Sequence, residues 1–220
     1  MKIAFFSVRF LFVFIALSVG ASQAAILPYG VQNDVALTTV LDDWGWNEIY
    51  RGDYGLDNLL LSDVFDGHGS HIMLAAQQQG SSDLELLAAV AWADFITYTP
   101  ENQTKSLNGA EWYYNGGALG FADLGQPILQ ANCDLYDASD KRLCWHTEVS
   151  AGVFDYTQVP VFLDNGFRAG SNLDLSFGAT GWDRVVFTAN LTAIPIGVPA
   201  GLLYASGVLV CALRKTLVFS

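Results

Sequence analysis

Two cysteines and a histidine form the group whose chemistry is easiest to name. Cys133 and Cys144 lie eleven positions apart around a polar stretch, and His146 follows two positions after the second cysteine. In an oxidising compartment this pair predicts a disulfide that closes the loop between the two cysteines. The alternative is a metal site with His146, although the pair lacks the Cys-x-x-Cys spacing of zinc sites. The third cysteine, Cys211, lies inside an apolar segment.

A second group with possible metal ligands is His68-Gly69-Ser70-His71, with Asp63 and Asp66 upstream. Its spacing differs from the His-Glu-x-x-His pattern, which places two imidazoles on one helix face. The acidic residues do not follow the EF-hand pattern either, which leaves calcium at an irregular site as an alternative. We therefore interpret the segment as a Gly-rich turn with exposed imidazoles, and we expect no metal or other cofactor.

The sequence contains no motif that identifies a catalytic residue. The Gly-x-Ser-x-Gly elbow of hydrolases and the Gly-Lys-Ser/Thr of phosphate-binding loops are both absent. The 22 acidic residues offer many carboxylate pairs, but a sequence does not give the separation on which a glycosidase mechanism depends. We assign no catalytic residue, and a glycan-active enzyme is the least favoured of the functions considered.

The first 24 residues have the pattern of an export signal. Lys2 and Arg9 precede an apolar run from Phe10 to Gly20, and Ser22-Gln23-Ala24 has small residues at the positions that a signal peptidase recognises. This order is typical of a secretory signal peptide. We predict a signal peptide over residues 1–24, with cleavage between Ala24 and Ala25. A second membrane-spanning helix is the alternative, but the apolar run is short for a span.

The C-terminal segment has the pattern of a membrane anchor. Residues 194–213 contain no charged side chain, and Arg214 and Lys215 follow directly. This length predicts a transmembrane helix, and the basic pair predicts that its end faces the cytoplasm. Residues 214–220 would form a short basic cytoplasmic tail.

The same segment resembles the PEP-CTERM sorting signal of exopolysaccharide-producing bacteria, in which a Pro-containing motif precedes an apolar helix and a basic cluster. The Glu that names the motif is absent here, and the apolar helix follows Pro-Ala directly. The resemblance implies that an exosortase-type enzyme processes the tail, and a simple C-terminal anchor is the alternative. The residues that carry the resemblance are Pro195, Val198, Pro199, Ala200, Arg214 and Lys215.

Residues 25–193 lie between these two segments and have the length of one domain. They keep 6 of the 10 basic residues and all 22 acidic ones, which gives a formal charge of −16. So acidic a surface repels phosphate backbones, and we therefore expect no nucleic-acid partner. Solubility in a polyanionic matrix, or weak binding of divalent cations, suits this charge better.

The composition of the domain favours an all-β fold, a single antiparallel sandwich or jelly roll, because aromatic residues and Gly are frequent and turn signals separate short apolar stretches. A short helix at residues 56–65 is an alternative, and the run at residues 84–92 lacks clean alternation, as a buried strand or a core helix would. Asp66-Gly67, Gly80-Ser81-Ser82, Asn108-Gly109, Asn115-Gly116-Gly117 and Asn165-Gly166 are the predicted turns. The predicted strands span residues 35–40, 44–50, 71–76, 84–94, 111–114, 142–148, 167–169 and 182–189.

The domain is also similar to a family of secreted or anchored bacterial proteins that often carry this sorting tail and whose function is not established. This resemblance implies a β-rich extracellular fold and no particular reaction. The segments that carry it are residues 30–35, 44–46, 72–76, 109–115, 119–122, 143–147, 166–170 and 182–185.

Export and anchoring segments around an acidic domain favour a structural or matrix-associated surface protein, held in the membrane by its C-terminal helix. The alternative function is a carbohydrate-binding module for extracellular polysaccharide, in which flat rings stack on sugars. The competing interpretation of those rings is that each pair is buried against the opposite sheet, because alternate residues of a strand share one face. The rings concerned are Trp44, Trp46, Trp112, Tyr113 and Tyr114.

Overall fold

A computed structural model describes residues 24–55, 59–126, 128, 133, 139–148, 161–173, 175 and 181–191. The strands in this part of the chain are β1 Gln32–Ala36, β2 Asn47–Asp53, β3 Leu59–Leu60, β4 His71–Gln78, β5 Asp83–Ala91, β6 Lys105–Leu107, β7 Ala110–Tyr114, β8 Ala118–Asp123, β9 Leu143–Glu148, β10 Phe162–Ala169 and β11 Trp182–Ala189. Three short helical turns accompany them: a π-helical turn at Thr39–Asp43, α1 at Leu61–Val64 and α2 at Trp92–Phe95.

The strands form two antiparallel sheets, which confirms the predicted all-β sandwich. Sheet A has the order β1-β5-β4-β11-β2, and sheet B has the order β3-β10-β9-β8-β7-β6. Among the described residues there is no helix long and apolar enough to cross a membrane. The transmembrane helix predicted at residues 194–213 lies outside the described part of the chain.

Sheet A is buried on both faces, which explains the unbroken apolar run in β5. On β4, Ile72 and Leu74 belong to the core between the sheets, whereas Met73 and Ala75 belong to a second cluster on the opposite face. The π-helical turn and the residues on either side of it cover that opposite face. A strand covered on both faces has no polar side, so alternation is lost. The helix alternative for residues 84–92 is therefore wrong over most of its length, and only Trp92 begins a helical turn.

The covering segment differs from the sequence prediction. Strand β1 ends at Ala36 instead of residue 40, and β2 begins at Asn47 instead of residue 44. Gly45 has a φ of 70°, a backbone conformation that ends an extended strand. Trp44 and Trp46 consequently lie before β2 and pack on the outer face of sheet A, not against the opposite sheet as predicted.

The hairpins of sheet B follow the turn signals in part. Asn108 and Gly109 have φ angles of 46° and 77°, as a tight hairpin between β6 and β7 requires. The turn at residues 115–117 joins β7 to β8, although β3, β6 and β8 themselves were not predicted as strands. Residues 165–166 were predicted as a turn but lie inside β10, where the register with β9 shifts. The helix suggested over residues 56–65 is confined to Leu61–Val64 among its described residues.

The ring of Tyr54 occupies the space beside Gly166, and a Cβ at Gly166 would overlap that ring. Tyr54 is fully buried in the core between the sheets. The ring therefore has little room to move, and this position tolerates only glycine. Gly117 offers a matched control, because the nearest atom to its Cβ position is Asn115 Oδ1 at 3.6 Å, which is an ordinary van der Waals contact.

We expect Gly166→Ala to lower the free energy of unfolding by about 1–3 kcal/mol, the usual range for an overpacked core. Gly117→Ala should change it by less than about 0.5 kcal/mol. Urea unfolding of both variants, followed by circular dichroism, measures the difference. Equal effects of the two substitutions would contradict the packing of Tyr54 against Gly166.

Candidate functional site

Cys133 and Cys144 are joined by a disulfide, as the sequence predicted, with their Cα atoms 5.6 Å apart. Cys144 lies on β9, and both cysteines are 1% exposed. They belong to an apolar cluster on the outer face of sheet B, together with Tyr113, Ile128 and Phe167. The disulfide therefore holds Cys133 against that face.

His146 lies beside the disulfide on the same strand. Its ring stacks on Phe167 with the centroids 5.3 Å apart, and its ligand nitrogen and the two sulfur atoms lie within 4.8 Å of one another. Burial lowers the pKa of His146, and a hydrogen bond with Asn165 opposes that shift to a smaller extent. A disulfide carries no thiolate, so in this state the cluster places a neutral imidazole against a closed bridge and does not provide the charged ligands of a zinc site.

The structure does not bring the side chains of the second group close enough together to share a metal ion; these are Asp63, Asp66, His68 and His71. His68 stacks on Trp92 with the ring centroids 3.9 Å apart. His71 lies at the start of β4, where its Nδ1 is 2.9 Å from the hydroxyl of Ser70. In the described part of the chain, the cluster at Cys133 is the one whose His, Cys, Asp or Glu ligands lie close enough to share a metal ion.

A pocket of about 600 Å³ opens between α1 and α2. We call it the aromatic pocket, because Phe65, Trp92, Phe95 and Tyr114 all line it. Phe65 contacts Phe95 with the ring centroids 5.3 Å apart, and Phe65 contacts Trp92 at 5.6 Å. Burial raises the pKa of the Tyr114 hydroxyl, which keeps that group neutral. The size is that of small-molecule binding sites in general.

The rest of the pocket wall is aliphatic apart from three polar side chains. Leu61, Ile96 and Val161 complete the apolar lining, and Ile96 is 42% exposed at the surface. Ser62, Asp66 and His68 supply the polar side chains. The carboxylate of Asp66 makes no hydrogen bond or ion pair with the residues that the structure describes.

Backbone contacts set the positions of the two helical turns. The Leu61 N–H donates to the Val161 carbonyl at 3.0 Å, which ties α1 to the start of β10. The Trp92 N–H donates to the Ser70 carbonyl at 2.9 Å, which ties α2 to the chain that enters β4. The Lys105 ammonium donates to the Asp94 and Thr97 carbonyls at 2.5 and 2.7 Å, which satisfies carbonyl groups at the end of α2.

The rings proposed for sugar stacking are mostly core residues. Trp46, Trp112, Tyr113 and Tyr114 are at most 5% exposed, and Trp44 is half-buried. Trp92, which the sequence analysis placed inside a strand, is instead the half-buried ring at the pocket wall. The spacing of Trp92 and Phe95, three positions apart, was the available signal for a helical turn with both rings on one side.

Comparison of the chain with protein-family models, curated proteins and solved structures gives no match. The predicted cleavage between Ala24 and Ala25 stays a prediction; Ala24 is exposed, Ala25 is half-buried, and residues 1–23 lie outside the described part of the chain. The predicted sorting residues lie outside the described part of the chain: Pro195, Val198, Pro199, Ala200, Arg214 and Lys215.

We expect Cys144→Ser to lower the free energy of unfolding by about 3 kcal/mol, because opening a short closed loop restores freedom mainly to the unfolded chain. The β-sheet circular dichroism spectrum should remain, since both sheets keep their pairing. Chemical unfolding of the polypeptide of residues 25–193 measures the change.

Maleimide labelling in denaturant tests the bridge itself. The non-reduced polypeptide of residues 25–193 should take up no label, and the reduced polypeptide should take up two. Two labels without reduction would show that the bridge does not form in the protein.

Proposed function

We propose that the chain is an exported protein displayed at the bacterial cell surface, where its acidic β-sandwich serves a structural or matrix-associated role. Its C-terminal segment holds the precursor in the membrane, and an exosortase-type enzyme then processes that segment. The proposal combines the sequence patterns at the two ends of the chain with the properties of the domain between them.

The disulfide is the observation that carries this proposal. Disulfides between buried cysteines form and persist in oxidising compartments, and they are rare in the reducing cytoplasm. Cys133 and Cys144 are bonded within the sandwich and help to cover one face of sheet B. A fold that uses a disulfide in this way suits a chain that matures outside the cytoplasm.

The start of the packed domain agrees with the proposed cleavage site. Ala25 packs against the cluster on the outer face of sheet A, and the Ile26 N–H donates to the Trp44 carbonyl at 2.9 Å. Cleavage before Ala25 would therefore leave these contacts intact. The proposed role of residues 194–220 in sorting is based on the sequence pattern alone. The truncation and substitution experiments on this tail therefore test that part of the proposal.

Removal of residues 194–220 should release the domain into the periplasm or the medium, because the only charge-free span of anchor length after the signal peptide is then lost. Fractionation of cells with an antibody against the domain measures this release. A truncated chain that still pelleted with membranes after a carbonate wash would contradict the anchor.

A matched tail variant separates anchoring from processing. Replacing Val198, Pro199 and Ala200 by glycine leaves the following apolar residues and the basic pair in place, so the chain should stay in the membrane with its tail intact. The wild-type tail should be removed in a cell that contains an exosortase. If the wild-type chain also kept its tail, exosortase processing would be discarded and the anchor retained.

Polysaccharide binding remains the alternative proposal for the domain, although four of the five rings on which it was based are buried: Trp46, Trp112, Tyr113 and Tyr114. A pull-down of the producing cell's exopolysaccharide by residues 25–193 distinguishes the two roles. Retention on the polysaccharide at physiological salt would favour a binding module over a structural domain.

A further inference from the structure

The lining of the aromatic pocket offers few hydrogen-bonding groups to a ligand. Phe65, Phe95 and Tyr114 are each at most 6% exposed, and their rings line it together with the half-buried Trp92. A sugar or a peptide backbone placed here would leave most of its polar groups without partners. An unmade hydrogen bond in a buried site costs about 1–3 kcal/mol. The lining therefore disfavours strongly polar ligands.

The charge of the pocket favours a cation. Asp66 carries the one carboxylate of the described lining, which contains neither lysine nor arginine; its one basic side chain is the imidazole of His68, which stacks on Trp92. The nearby Lys105 ammonium is held by two backbone carbonyls at the end of α2. The surrounding domain has a formal charge of −16, so its field attracts cations and repels anions.

Aromatic rings and one carboxylate are the groups that bind organic ammonium ions. A quaternary ammonium has no N–H to donate, so an apolar lining leaves none of its groups unsatisfied. The faces of Trp, Tyr and Phe rings attract such a cation through their quadrupoles. We propose that the aromatic pocket binds a small organic ammonium cation, with Trp92 and its neighbouring rings around the methyl groups and Asp66 balancing the charge.

This site does not depend on export, anchoring or a matrix role. Failure of the tail experiments would leave it unchanged, and failure of the cation experiment would leave the proposed function unchanged.

Choline and its neutral analogue dimethylbutanol, in which carbon replaces the nitrogen, provide a matched pair of probes. The full-length protein is kept in a maltoside detergent, because this detergent carries no ammonium group that would compete with choline. The methyl signal of Ile96, which lines the pocket, reports binding of either probe by nuclear magnetic resonance. We expect choline to bind about tenfold more tightly than dimethylbutanol, from the combined ring and carboxylate attraction.

Two acidic residues three positions apart give the charge test and its control. Asp63 and Asp66 are both exposed, but only Asp66 lines the pocket. Asp66→Asn should weaken choline binding about fivefold and leave dimethylbutanol binding unchanged. Asp63→Asn removes the same charge from the domain and should change choline binding by less than about twofold, because exposed charges outside the pocket are screened by salt.

Trp92→Leu tests the ring contribution. It should weaken choline binding more than dimethylbutanol binding, and the neutral probe then shows that the pocket is still folded. The proposal is overturned if neither probe shifts the Ile96 signal in the wild-type protein, or if both probes bind equally well. Equal effects of the two Asp substitutions would also overturn it, since they would reduce the site to a general attraction by the acidic surface.

Discussion

Tyr54 joins the two sheets, and the rest of the sandwich depends on this connection. The residue follows β2 at the edge of sheet A, and its N–H donates to the Trp182 carbonyl at 3.0 Å. Its own carbonyl accepts the Gly166 N–H at 2.8 Å, so the same residue bonds to β10 in sheet B. Its buried ring fills the space beside Gly166, and its hydroxyl accepts the Trp145 indole N–H at 3.3 Å. Tyr54 therefore contributes both to the packing between the sheets and to backbone hydrogen bonds with each of them.

The shape of the aromatic pocket depends on this connection between the sheets. Its first wall, α1, follows β3, which pairs with β10 in sheet B, whereas α2 follows β5 in sheet A. The distance between the two walls is thus set by the spacing of the sheets. A site of this kind needs a rigid frame, because binding energy is lost when the lining must be ordered first. The disulfide acts elsewhere, on the outer face of sheet B.

The sequence alone predicted the fold class and those strands whose local residue pattern matches the packing around them in the folded domain. Strand β11 lies at the predicted residues 182–189, because its β-branched and aromatic residues suit a central strand. Strand β8 was missed because Ala and Gly dominate its first three residues, and these residues favour strands only in the packed sheet. The Asn165-Gly166 pair has the composition of a turn, but Tyr54 requires glycine there for space. Trp92 was assigned to a strand because the apolar run before it continues without a break. In each case the deciding contact is distant in sequence.

Native-state hydrogen exchange of the Gly166 amide tests the connection most directly. If Tyr54 joins the sheets, this amide exchanges only when the whole domain unfolds, and its opening free energy equals that of the Leu74 amide in the centre of β4. The same value should come from global unfolding in urea. An opening free energy for Gly166 that lies several kcal/mol below that of Leu74 would show that the two sheets separate locally at this point, and it would contradict the account.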